Sequence, residues 1–189
     1  MQTSETIDED LIARAEEHAA QRDFAAARAT YQTVLPELRS DHPAKVRAMV
    51  GYAWTLQALG DHETALRWHQ EALDTQLSLS SQAHPAICTI RQGLGTTLIA
   101  LGQLEAAREQ YANVLSTQRN LLDRWHPDLA ATLSILGETA SRLNQHEEAR
   151  CYQEEALAIL RVLHPPGAAP IAPALTTLGV SLFRLNVHP

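Results

Sequence analysis

Nine histidines and two cysteines are the side chains of this 189-residue sequence best suited to hold a metal or attack a substrate. Three of the histidines precede proline, at His42-Pro43, His84-Pro85 and His126-Pro127, with 42 residues between successive copies. Groups that recur once per repeat spread along one edge of a stack. Equivalent atoms of packed helix pairs lie on the order of 10 Å apart, whereas zinc needs its nitrogen ligands at about 2.1 Å. The backbone gives His-Pro a better reason. Proline fits the first position of a helix, and the residue before it is driven to the extended geometry of an N-cap. His62 and His146, at the start of second helices, fail the same distance test, and His62 and His69 are expected on a solvated face. Cys88 and Cys151 fall in different repeats without a CxxC spacing, so each reads as a small buried hydrophobe. Glu147-Glu148 and Glu154-Glu155 pair carboxylates on what should be an outward helix face. Gly93-Leu94-Gly95 sits inside a helical pattern with no preceding strand and no GK[ST], unlike a phosphate loop. These residues predict no catalytic constellation, no metal site and no cofactor: the chain is expected not to be an enzyme.

Composition narrows the classes further. Acidic residues outnumber basic ones 22 to 15, a formal net charge of −7, which removes the electrostatic footprint of a nucleic-acid binder. No apolar run approaches the roughly 20 residues of a membrane span. The opening MQTSETIDEDLIARAEE lacks the basic and apolar regions of a signal peptide. With only two cysteines, a reducing, cytoplasmic setting is expected. Lys45 is the only lysine among the 15 basic residues, which points to a GC-rich bacterial genome.

Whatever these side chains do, a repeat must position them. The 42-residue period links Leu59-Gly60, Leu101-Gly102, Leu143-Asn144 and Leu185-Asn186; it also links Ala65, Ala107 and Ala149, and Leu73, Leu115 and Leu157. Each unit reads as two helices. Met49, Tyr52, Ala53 and Leu56 form a stripe at i, i+3, i+4, i+7, matched by Arg91, Leu94, Gly95 and Leu98 and by Leu133, Leu136, Gly137 and Ala140. The second helix carries Ala65, Trp68, Ala72 and Leu73, then Ala107, Tyr111, Val114 and Leu115, then Ala149, Tyr152, Ala156 and Leu157. Gly60, Gly102, Asn144 and Asn186 occupy the turns, where a left-handed residue ends a helix. Phe24, Ala27, Tyr31, Val34 and Leu35 repeat Leu104, Ala107, Tyr111, Val114 and Leu115, so the first unit is four residues shorter, and Thr6 with Glu9 has capping-box spacing. Helices are predicted near 7–21, 24–39, 43–59, 62–80, 85–101, 104–121, 127–143, 146–162 and 171–186, with no strand.

The small residue in the first helix, the glycine turn and the early alanine of the second helix resemble the tetratricopeptide repeat (TPR). With HPxxA opening the unit, as in HPDLAATLSILGETASRLNQHEEARCYQEEALAI (His126 to Ile159), the chain resembles the 42-residue subtype of kinesin light chains. That resemblance implies an all-α, right-handed superhelical TPR solenoid. It would have four helix pairs plus one C-terminal helix, a single domain over 1–189 with units about 6–41, 42–83, 84–125, 126–167 and a partial 168–189. It also implies a concave wall, lined by first helices, that docks a protein or peptide. Where the kinesin-like unit carries an Asn-Asn pair, this chain has Val50-Gly51, Gln92-Gly93, Ser134-Ile135 and Thr176-Thr177, and the heptad coiled coil is absent.

By register, Arg47, Trp54 and Gln57 project onto that wall, with Glu9, Ile12 and Glu16 before them. Thr89, Gln92 and Thr96, then Ala131, Ser134, Glu138, Ser141 and Arg142, follow after them. Trp54 among polar neighbours suits a partner's anchor, whereas Trp68 and Trp125 read as packing. The function expected is therefore a non-catalytic protein- or peptide-binding scaffold; the alternative is a sensory or regulatory array belonging to a larger signalling protein such as a multidomain ATPase. Val187-His188-Pro189 holds the register of Gln145-His146-Glu147, the opening of a second helix. Ile171, Leu175, Leu178, Leu182 and Phe183 are thus expected to be partly uncovered, in a longer array or in a homodimer through this helix.

Overall fold

The helices begin where the sequence supplies a cap. In the computed structural model, which describes residues 4–39, 44–79 and 84–187, His84 and His126 are extended at ψ 134° and 137°, each followed by proline. Each imidazole Nδ1 accepts a hydrogen bond, from the Ala86 N–H and the Asp128 N–H respectively, at 3.2 Å. Histidine here caps a helix with its own ring. His42-Pro43 lies outside the described residues.

The same rules end the helices. Gly60, Gly102 and Asn144 take φ of 84°, 75° and 60°, the left-handed geometry that a helix stop needs. Arg22 holds the equivalent place in the first unit, at φ 62°, a turn that its residue type conceals. Asp23 then caps the next helix, its carboxylate accepting from the Ala26 N–H at 3.0 Å.

Among the described residues the secondary structure is helical throughout: α1 (Ser4–Ala20), α2 (Phe24–Val34), α3 (Lys45–Ala58), α4 (His62–Leu79), α5 (Pro85–Ala100), α6 (Leu104–Leu121), α7 (Pro127–Arg142), α8 (His146–Leu163) and α9 (Ile171–Val187). Most boundaries fall within one or two residues of those the periodicity predicts, and three of the differences are instructive. α2 ends at Val34 rather than 39, because Pro36 has no N–H to continue the ladder. α1 begins at Ser4, so Thr6 lies within the helix rather than at its start. α9 continues through Asn186 to Val187 with no left-handed turn at Asn186.

The chain divides into two compact units, 1–101 and 102–189. In the first, α1 pairs with α2 and α3 with α4, α2 packs on α3, and α5 lies against α4 and α3. In the second, α7 pairs with α8, α6 packs on α7, and α9 lies against α8 and α7.

One buried position of the second helices recurs in every unit: Tyr31, His69, Tyr111 and Gln153, all 3 % exposed or less. The stripe therefore runs one residue later than Trp68 and Tyr152, which are only half-buried. A Cβ on Gly51 would stand 2.8 Å from Tyr31 Cζ, and one on Gly93 would stand 2.8 Å from His69 Nε2. Glycine at 51 and 93 is thus the socket for the side chain of the preceding second helix.

Candidate functional site

The wall positions emerge from the exposed side of the first helices. In the first unit, Arg47, Trp54 and Thr89 are exposed, and Gln57, Gln92 and Thr96 are half-buried. Ile12 departs from expectation: it is fully buried, and Glu9 and Glu16 alone represent α1 on this face. Arg47 Nε meets Glu16 Oε1 at 3.2 Å. Both partners of this pair are about half exposed, so it contributes little stability and can exchange for another carboxylate. Thr96 donates its hydroxyl to the Gln92 carbonyl at 2.9 Å, and Gln57 Oε1 is buried without a hydrogen-bond partner among the described residues. In the second unit, Ser134, Glu138 and Arg142 are exposed and Ser141 is half-buried. Ser134 donates back to the Ala130 carbonyl at 2.8 Å, leaving its oxygen only as an acceptor for a partner.

Trp54 is held in place by a residue the sequence reading put on the surface. His69 is fully buried and stands edge-on to the Trp54 ring, 5.5 Å between centroids at 82°. Burial alone pushes its imidazole down to about 4, so it is neutral at physiological pH. Neither ring nitrogen finds a hydrogen-bond partner among the described residues. The expectation of a solvated His69 fails because the repeat register, rather than the seven-residue spacing from His62, decides its side. Trp54 itself keeps 39 % of its surface exposed: one edge is fixed by His69, the rest is free.

A cleft of about 300 Å³ opens beside this face, lined by Val46, Arg47, Val50, Gln76, Ala86, Thr89 and Ile90. Its floor is aliphatic and its polar groups stand at Arg47, Thr89 and Gln76. A second cleft of about 310 Å³ lies between the second helices, where Lys45, Met49, Tyr52, Trp68 and Glu71 meet Leu35 and Pro36. Neither was legible in the sequence, since each combines residues from separate helices. Trp68 packs edge-on to Tyr52 at 5.2 Å, and Arg124 covers the Trp125 ring at 4.2 Å, in keeping with packing roles for both indoles.

Two further expectations are corrected. Cys151 is exposed on α8 and Cys88 is half-buried, so neither is a core hydrophobe, and neither is in a disulfide. The carboxylate pairs of α8 do more than face solvent. Arg108 reaches Glu148 at 3.2 Å and Gln145 at 2.6 Å, and Arg119 holds both Glu155 oxygens at 2.8 and 2.9 Å. These contacts tie α6 to α8. Glu148 also accepts from the Tyr152 hydroxyl at 3.1 Å; burial first, then this bond, raises the Tyr152 pKa. No group of three His, Cys, Asp or Glu among the described residues could hold a metal ion. No described helix is long and apolar enough to cross a membrane.

The sequence model of the tetratricopeptide repeat matches residues 11–78 and 86–161, most of the chain. The chain belongs to the tetratricopeptide repeat family. No curated protein matches it by sequence. Solved structures share the TPR fold at low identity. A putative kinesin light chain from Podosopora anserina with nearly identical TPR-like repeats has a TM-score of 0.84 at 19% identity, covering 100% of this chain and 90% of that one. BtubC (BKLC) from P. vanneervenii gives 0.81 at 21%, covering 96% and 74%. A Rap protein complexed with Competence and Sporulation Factor gives 0.66 at 18%, covering 89% of this chain and 46% of that one. The all-α TPR architecture is thereby established. Proteins built from TPR repeats serve as interaction scaffolds, and this chain carries that architecture.

Proposed function

We propose that the chain is a non-catalytic scaffold that holds a protein or peptide partner against the exposed faces of its first helices. In the first unit the contact residues are Arg47, Trp54, Gln57, Gln92 and Thr96; in the second they are Ser134, Glu138, Ser141 and Arg142. One observation carries the reading: Trp54, braced edge-on by buried His69, leaves 39 % of its surface exposed on the same helix as Arg47 and Val50 of the 300 Å³ cleft. A rigid aromatic beside an aliphatic hollow and an exchangeable cation is the composition of an interface anchor. Gln92 is the one carboxamide at the kinesin-like Asn positions, so side-chain anchoring, rather than a repeated backbone clamp, supplies the affinity. The acidic charge and the two cysteines outside any disulfide suit a cytoplasmic partner without nucleic acid.

The test is quantitative capture from extract of the source cells, comparing wild type with Trp54→Ala and with Trp54→Ala plus Arg142→Ala. A partner enriched by wild type should fall about tenfold with Trp54→Ala, the loss of one hot-spot aromatic. Undiminished capture of the same partner by the double variant removes the site.

A further inference from the structure

The cleft between α2 and α4 is not what the repeat requires of that place. Lys45, the only lysine of the chain, stands where the next two repeats carry Ile87 and Leu129, which are 1 % and 4 % exposed. Packing alone would keep an aliphatic residue in this register, and an ammonium there is costly unless a polar group answers it. Met49 and Tyr52, one and two turns further along α3, occupy the register of Leu133 and Leu136.

Two charges and one apolar wall define the hollow, whose volume is about 310 Å³. Lys45 Nζ donates to the Leu38 carbonyl at 3.3 Å, which holds the ammonium on the side where α2 has ended. α3 begins at Lys45, with alanine as its cap and no acidic residue in its first turn, so the positive end of the helix adds to the ammonium. Glu71, exposed on α4, brings a carboxylate to the other side of the cleft. Two periods on, the same register is Glu155, whose oxygens are held by Arg119 at 2.8 and 2.9 Å. The apolar wall is Met49, Tyr52 and the half-buried Trp68, with the indole edge-on to Tyr52 at 5.2 Å.

These groups select a ligand by exclusion. A simple anion would face Glu71, a simple cation would face Lys45, and an uncharged molecule would answer neither. A carboxylate and an ammonium carried on one carbon answer both. A planar ring attached to the same small frame covers the thioether and the two aromatic side chains. The volume lies at the small end of the range for low-molecular-weight ligands.

We propose that this cleft binds a free aromatic α-amino acid, its carboxylate on Lys45, its ammonium on Glu71 and its ring against Met49, Tyr52 and Trp68. The cleft shares no residue with the wall around Trp54, and the inference stands apart from the partner-binding reading.

The probe is L-phenylalanine, titrated into the full chain by isothermal calorimetry and followed in parallel by saturation-transfer NMR. Wild type should bind it saturably with a Kd below about 1 mM. Hydrocinnamate, which lacks the ammonium, and phenethylamine, which lacks the carboxylate, should each bind about tenfold more weakly, the loss of one charge-assisted contact. Glu71→Gln alters an exposed side chain and should bind phenylalanine no better than hydrocinnamate. Lys45→Met keeps the apolar stem and should bind phenylalanine no better than phenethylamine. Absence of saturable binding up to roughly 10 mM overturns the proposal. So does equal affinity of wild type for all three compounds, which would mean an apolar hollow without charge recognition. Binding of phenylalanine that neither substitution weakens would belong to another surface and overturns the assignment as well. If Lys45→Met fails to fold, the Glu71→Gln comparison decides alone.

Discussion

Acid should loosen the first unit through a single imidazole. His69 is fully buried between Trp54 and Gly93 and titrates at about 4 rather than 6.5 because burial disfavours its charged form. As pH falls below about 6.5 the unfolded chain takes up the proton and the folded chain does not, so stability drops. The loss is absent above that pH, grows down to about 4 and then levels off. With those two values the linkage is on the order of 2–3 kcal/mol between pH 7.5 and 4.5. His69→Gln is the clean comparison, since Gln153 occupies the same register, is 3 % exposed and cannot titrate. Urea unfolding followed by far-ultraviolet circular dichroism at pH 7.5, 6.0 and 4.5 would give the two slopes. Carboxylates titrate equally in both proteins, so the difference between slopes belongs to His69. Wild type should lose roughly 2–3 kcal/mol more than the variant over this range. Parallel slopes would refute the buried neutral histidine and, with it, the brace assigned to Trp54.

Gly93→Ala should destabilise the chain by about 2 kcal/mol, because a methyl there meets the buried His69 ring and the core must shift; thermal unfolding at pH 7.5 measures it. Arg22→Gly should instead stabilise by about 1 kcal/mol, since Arg22 holds φ 62° where an L side chain is strained, and a rise in thermal midpoint checks it.

The 42-residue period lies in the sequence because each unit faces the same two neighbours and must repeat the same small, apolar and capping residues. From that repetition follow the all-α class, the pairing of helices, the role of His84 and His126 as caps and the turns at Gly60, Gly102 and Asn144. Local rules sufficed there, because a cap or a left-handed turn is decided within a few residues. Pro36 and Arg22 show the limit: the repeat-wide template hid a single proline that shortens α2 and an arginine forced into a glycine's geometry. Exposure was legible in part: Arg47, Trp54, Ser134, Glu138 and Arg142 are exposed as the register predicts, whereas Gln57, Gln92, Thr96 and Ser141 are half-buried and Ile12 is buried. What the tertiary structure alone decided are the meetings between helices. His69 passed for a surface residue until α5 and α3 closed over it, and Gly51 and Gly93 gained their meaning from the side chains of the preceding second helices. The Arg47–Glu16 pair and the aliphatic cleft each join helices that a linear pattern keeps apart. On α9 the sequence repeats the stripe of α7, but only the packing reveals that Gly137 is covered while Gly179 is open. A period records what each residue is built to face; whether that face is filled depends on which surfaces meet in space.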